Sequence, residues 1–128
     1  MCISNVLVLL VIDIRNVKKY LTSELKLSDE ESVIYLFIVK NGRATSEKIA
    51  QLSKSSKYVV SNTLASLVEK GMIIESPVSE YESLHPKFAV VNRYRRVCLE
   101  NNLPCKKSIL IDSIGSVLER PFEDARPK

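Results

Sequence analysis

Between Arg43 and Gly71 the chain carries a short helix-forming segment, the hydroxyl-rich turn Ser53-Lys54-Ser55-Ser56, and a longer helix-forming segment that ends Leu67-Val68-Glu69-Lys70-Gly71. Two helices joined by so tight a turn read as a helix-turn-helix. Met72-Ile73-Ile74-Glu75, next in line, reads as the first strand of a wing. Thr45 is placed to cap the short helix, whose Ile49 and Leu52 are expected to face inward. The hydroxyls of the turn offer acceptors to the orphan amides of the longer helix.

The longer helix runs to about Lys70, with Val60, Leu64, Leu67 and Val68 as expected core positions. Its opposite stripe is then Lys57, Tyr58, Ser61, Asn62 and Ala65. Small side chains permit close approach to a duplex, and Asn, Ser and Lys offer donors and acceptors to base edges and phosphates. Lys57 and Asn62 are the leading readers of such a groove. Ser55 and Ser56, at the helix N-terminus, suit a backbone phosphate. The expected DNA-contacting set is Arg43, Lys54, Ser55, Ser56, Lys57, Tyr58, Ser61 and Asn62. A merely solvated face is the competing reading of the stripe; the turn before it and the strands after it favour function.

The chain's charge supports this placement. A net charge of +4 over 128 residues is modest, but between Lys40 and Lys70 six basic residues face only Glu47 and Glu69. Three cysteines, Cys2, Cys98 and Cys105, are odd in number and lack paired spacing, which points to reduced thiols and a cytoplasmic protein. Cys98 and Cys105 lie seven residues apart with Pro104 between them; small buried hydrophobes are the preferred reading, a thiol switch the other. The apolar run Val6 to Ile12 falls far short of the roughly 20 residues that span a bilayer, so no membrane role is expected. His85 is the lone histidine and the glycines are isolated, so no catalytic residue, metal site or cofactor is expected.

Around the central motif, Ser28-Asp29-Glu30-Glu31 forms a capping box that starts a helix. Val33, Ile34, Leu36, Phe37 and Ile38 are expected on its inner side, and Asn41-Gly42 ends it. Upstream, Ile3, Leu7, Leu10, Ile14, Val17 and Leu21 follow a heptad-like rhythm of fours and threes, which predicts a helix over 3–25 with one seam. That seam faces either a dimer partner or the chain's own core. After the wing strand, Pro77 to Ser83 is expected as the turn and Leu84 to Val91 as the returning strand. Ser79-Glu80-Tyr81-Glu82-Ser83 then becomes an acidic wing tip, ill suited to grip phosphate. Helices over 92–102 and 105–120 follow, with Tyr94, Leu110, Ile114 and Val117 on apolar stripes suited to dimerisation. Arg93, Arg95 and Arg96 are either phosphate contacts or solvated charges.

The phrases Leu27-Ser28-Asp29-Glu30-Glu31, Tyr35-Leu36, Ile49-Ala50, Leu52-Ser53 and Ser66-Leu67-Val68-Glu69-Lys70-Gly71, with Val33, Gly42, Val60 and Leu64, resemble the winged-helix domain of TrmB-type archaeal transcription regulators. MarR-type regulators are similar but match less well. The resemblance covers roughly 27–90 and implies a third helix of the unit docked in the major groove, hence DNA contact at Lys57, Tyr58, Ser61 and Asn62. Two departures stand out: Lys54-Ser55-Ser56 replaces the family's usual Gly, apolar residue and Pro, and the large sugar-binding domain of many members is missing. No small-molecule effector is assigned.

The expected fold is mainly α with a minor β component: an N-terminal dimerisation helix (1–26), a winged helix-turn-helix (27–91), C-terminal dimerisation helices (92–120) and a flexible tail (121–128). The expected function is a homodimeric, sequence-specific regulator bound to double-stranded DNA. A winged-helix protein-interaction module in a nucleoprotein assembly is the alternative.

Overall fold

The capping box at Ser28 forms as the sequence requires: Ser28 Oγ accepts from the Glu31 amide at 3.1 Å, and Glu31 Oε1 accepts from the Ser28 amide at 2.8 Å. In the computed structural model, which describes residues 12–126, this box opens the second of six helices. The order is α1 (Val17–Glu24), α2 (Asp29–Asn41), β1 (Ala44–Thr45), α3 (Ser46–Ser53), α4 (Lys57–Glu69), β2 (Ile73–Glu75), β3 (Glu80–Ser83), α5 (Pro86–Glu100) and α6 (Ile109–Asp124). The result is a mainly α winged helix-turn-helix with a small antiparallel sheet ordered β1-β3-β2. Among the described residues no helix is long and apolar enough to cross a membrane.

A single core joins the elements, built on Tyr35, Ile38, Ile49, Leu64, Leu67, Met72, Ile114 and Leu118, all buried. On α2 the buried face is Ile34, Tyr35, Ile38 and Val39, while Val33 is exposed, so the helix is rotated from the expected inner side. Leu52 and Val68 are likewise exposed rather than core, and Thr63 takes a buried place on α4. Gly42 ends α2 at φ 78°, a backbone region open to glycine at little cost.

The expected N-terminal helix over 3–25 is corrected within the described residues: 12–16 are not helical, and helix runs over Val17–Glu24. Asp13 Oδ1 accepts from the Arg15 and Asn16 amides at 2.9 and 3.2 Å, while Asn16 Oδ1 accepts from the Asp13 amide at 2.7 Å. These side chains give the backbone a turn in place of helical bonding. Ile14 lies in that turn, 43% exposed. Val17 and Leu21, expected on a dimer seam, are fully enclosed in the chain's own core and leave no surface for a partner. Leu7 and Leu10 lie outside the described residues.

The wing is also shorter than expected. β3 is only Glu80–Ser83, paired with β2 through Ile73–Ser83 and Glu75–Tyr81 and with β1 through Ala44–Tyr81. The segment expected as the returning strand becomes the start of α5. Pro86 sits at N1, where its fixed φ and missing N–H suit a helix, and His85 Nδ1 accepts from the Lys87 amide at 3.2 Å. Ala89, Val90, Arg93 and Val97 then fall on one buried face.

α6 folds back along α5, and Gly115 allows the close approach: a Cβ there would lie 3.1 Å from Lys87 Cα. Ile114 is fully buried, and Tyr94, Leu110 and Val117 are partly buried against the same core, so the expected dimerisation stripe is spent largely on intramolecular packing. The tail expected to be flexible from residue 121 is helical through Asp124. Phe122 anchors it, buried edge-on against His85 with the Arg126 guanidinium 4.4 Å over its ring.

Candidate nucleic-acid interface

The turn between α3 and α4 is built residue by residue. Thr45 Oγ1 accepts from the Lys48 amide at 3.2 Å and starts α3. Lys54 ends α3 in the left-handed conformation, φ 58° and ψ 30°, and the Ser55 amide closes back on the Ala50 carbonyl at 3.2 Å. Ser56 then caps α4, its Oγ accepting from the Val59 amide at 3.2 Å. Ser56 is therefore partly committed to the helix it starts, whereas Lys54 projects from a strained, exposed corner.

On α4, Val60, Thr63, Leu64 and Leu67 turn inward, with Thr63 Oγ1 donating to the Val59 carbonyl at 2.7 Å. Lys57, Tyr58, Ser61, Asn62 and Ala65 form the exposed arc opposite, and Tyr58 is 77% exposed. Ala65 lies near the middle of this arc, where a small side chain lets the helix approach a duplex closely. Lys48 on α3 and Lys54 in the turn before α4 are exposed as well. Of these lysines, Lys54 and Lys57 belong to the DNA-contacting set expected from the sequence.

Arg43, also in the expected set, is paired within the chain. Its Nε donates to Glu82 Oε2 at 2.9 Å, and this pairing holds the guanidinium charged above its already high range. It stands at the base of the wing, at the mouth of a cavity of ≈ 370 Å³ also lined by Ile38, Phe122 and Arg126. Glu80 and Glu82 are not a wing tip: both lie in β3, opposite Thr45 and Ile74. The tip is Pro77-Val78, closed by the Ser76 amide on the Glu80 carbonyl at 2.7 Å. Tyr81 is half-buried; burial and the nearby Glu75 carboxylate push its phenol above the usual range.

The three arginines of α5 separate into different roles. Arg93 is buried, its Nε donating to the Leu25 carbonyl at 2.8 Å and Nη1 to Glu100 at 3.1 Å. Arg96 donates to the Glu69 carbonyl at the end of α4, and Asn92 Nδ2 reaches the Gly71 carbonyl at 3.2 Å. Arg95 and Arg96 are both exposed, Arg96 while tied to that carbonyl. Sequence reasoning could not see that Arg93 and Arg96 serve as staples, because their carbonyl partners are 68 and 27 residues away.

Among the described residues, His85, Glu119 and Glu123 bring possible ligand atoms within 4.8 Å of one another. His85 Nδ1 already accepts the Lys87 amide, Nε2 stands 3.1 Å from Glu119, and Lys87 Nζ is 3.5 Å from the same carboxylate. With both ring nitrogens engaged and an ammonium beside the carboxylate, the group acts as a clasp between α5 and α6 rather than as a metal-ligand set.

Residues 21–97 match the family described as "Sugar-specific transcriptional regulator TrmB". No curated protein matches the chain by sequence. Among solved structures the chain is similar to TrmBL2, described as an archaeal chromatin protein with a novel mode of DNA binding. The TM-score is 0.61 at 20% identity, over 70% of this chain and 35% of that one. The likeness shows a common fold, and this chain spans about a third of that relative's length.

Proposed function

This chain belongs to the TrmB family of transcriptional regulators, and from that premise we propose that it binds double-stranded DNA as a sequence-specific homodimer, with α4 seated in the major groove. The observation that carries the reading is the exposed arc of α4, small at Ala65, polar at Ser61 and Asn62 and basic at Lys57, with Lys54 exposed in the turn before it. Asn62 suits a bidentate contact to adenine, and the lysines suit phosphates. Two α4 helices of a symmetric dimer would read half-sites about 34 Å apart, one turn of duplex.

The test is selection of the purified chain on a mixed duplex pool at two salt concentrations, followed by titration of variants on the enriched site. Lys57→Ala with Asn62→Ala is expected to weaken specific binding at least tenfold, and loss of the Lys57 phosphate contact to flatten the salt dependence by about one unit of slope. Glu80→Ala is expected to leave affinity unchanged or raise it slightly. Full affinity in the double variant would sink the recognition-helix reading. The apolar wing tip and the exposure of Leu52 and Tyr58 favour the second reading, a protein-interaction module. It predicts no enriched sequence and no salt-dependent retention.

A further inference from the structure

The loop between α5 and α6 curls back on the helix it leaves. The Leu103 amide donates to the Cys98 carbonyl at 2.9 Å, Asn101 Nδ2 to the Val97 carbonyl at 2.8 Å, and the Tyr94 hydroxyl to the Lys106 carbonyl at 3.0 Å. Asn102 turns the chain at φ 53°. These ties carry Cys105 round beside Cys98, and partial burial together with the neighbouring Cys98 sulfur pushes the Cys105 thiol up from its ordinary range. Cys98 is buried at 4% exposure and Cys105 is exposed. The sequence-based expectation that both are buried hydrophobes therefore holds for Cys98 alone.

We propose that Cys98 and Cys105 are an oxidisable pair, joined as an intramolecular disulfide by a low-molecular-weight disulfide, which fixes the end of α5 to the middle of the loop that follows it. Accessibility gives the order of events. The Cys105 thiolate, on the open side, attacks one sulfur of the reagent, breaks its S–S bond and expels one thiolate. The Cys98 thiolate then attacks Cys105 Sγ and expels the second. The two protein thiols lose two electrons and two protons, and the reagent is reduced to two thiols. Closing to a disulfide length of about 2.05 Å asks movement chiefly of Cys105, which lies outside regular secondary structure. Nothing in the pair requires DNA, so the inference stands apart from the DNA-binding reading.

The chain lends itself to a direct assay, because cleavage after Arg96 and Lys106 releases both cysteines on one peptide, Val97–Lys106, free of Cys2. The purified full chain is incubated with oxidised glutathione, free thiols are alkylated, and the peptide is weighed. The expected product is two hydrogens lighter than the reduced peptide and carries no alkyl group. Oxidation should also raise Tm by about 5 °C or more, as a short loop closed in the unfolded chain implies. Cys105→Ser, at an exposed position, should fold normally and show no such rise. Recovery of the peptide doubly alkylated, or as a stable glutathione adduct on Cys105, overturns the pair, as does an equal Tm rise in Cys105→Ser.

Discussion

Lys54 holds a conformation that costs a lysine about 1 kcal/mol or more and costs glycine almost nothing. Among the described residues three other non-glycine residues, Lys26, Ser79 and Asn102, share a positive φ, but Lys54 alone of these stands in the turn of the helix-turn-helix. The family resemblance marks Lys54 as a departure from an expected glycine, whereas the cost of that departure depends on a dihedral angle. A cation kept at a strained corner beside α4 is the pattern expected if its charge is used. Lys54→Gly should therefore raise stability by roughly 0.5–1 kcal/mol in urea unfolding, while lowering DNA affinity and its salt slope by about 0.9. Greater stability with unchanged affinity would mean that the strain is incidental to binding.

Between elements, the polar joint that sets α4 relative to α2 is Glu31. Its Oε2 accepts from Lys70 Nζ and Ser66 Oγ, each at 2.5 Å, while Oε1 remains in the capping box. Burial alone would push this carboxyl up, but the Lys70 ammonium, the Ser28 amide and the Ser66 hydroxyl outweigh it and hold Glu31 below the usual carboxylate range. With the folded value below the unfolded one, the stabilisation is fully present above about pH 4.3 and fades as pH falls through the lower folded value. Glu31→Gln should cost on the order of 2 kcal/mol at neutral pH, and its Tm should converge with that of the parent on acidification. A gap that persists unchanged at pH 2 would assign the loss to packing. The capping box was legible because its partners are three residues apart, whereas Ser66 and Lys70 lie 35 and 39 residues away. The same limit governs the wing: Phe88-Ala89-Val90-Val91 has strand-like composition, and only the sheet's early end at Ser83, with Pro86 at a helix start, turns it into α5.

For the molecule as a whole, the local pattern identified the helix-turn-helix and its exposed arc but misjudged which apolar stripes face a partner. Val17, Leu21 and Ile114 have every feature of seam residues and are enclosed because α6 folds over α1 and α2, a docking that no short-range spacing encodes. The apolar side chains left exposed include two on α5, Phe88 and Leu99, at 71% and 77%. They are 11 residues apart, about three helical turns, and so share one face with Asn92 and Arg95. An antiparallel pairing of α5 with a second copy, about a two-fold axis at mid-helix, would set Phe88 against the partner's Leu99 and Asn92 against the partner's Arg95, a self-complementary arrangement. Phe88→Glu with Leu99→Glu would place carboxylates at both ends of that seam without touching the core. The double variant should halve the mass measured by light scattering, keep its Tm within a few degrees of the isolated protomer's, and lose affinity for a two-half-site duplex far more than for a single half-site. A parent chain that is monomeric at concentrations where it binds the paired site, or a double variant that remains dimeric, would move the two-fold axis away from α5.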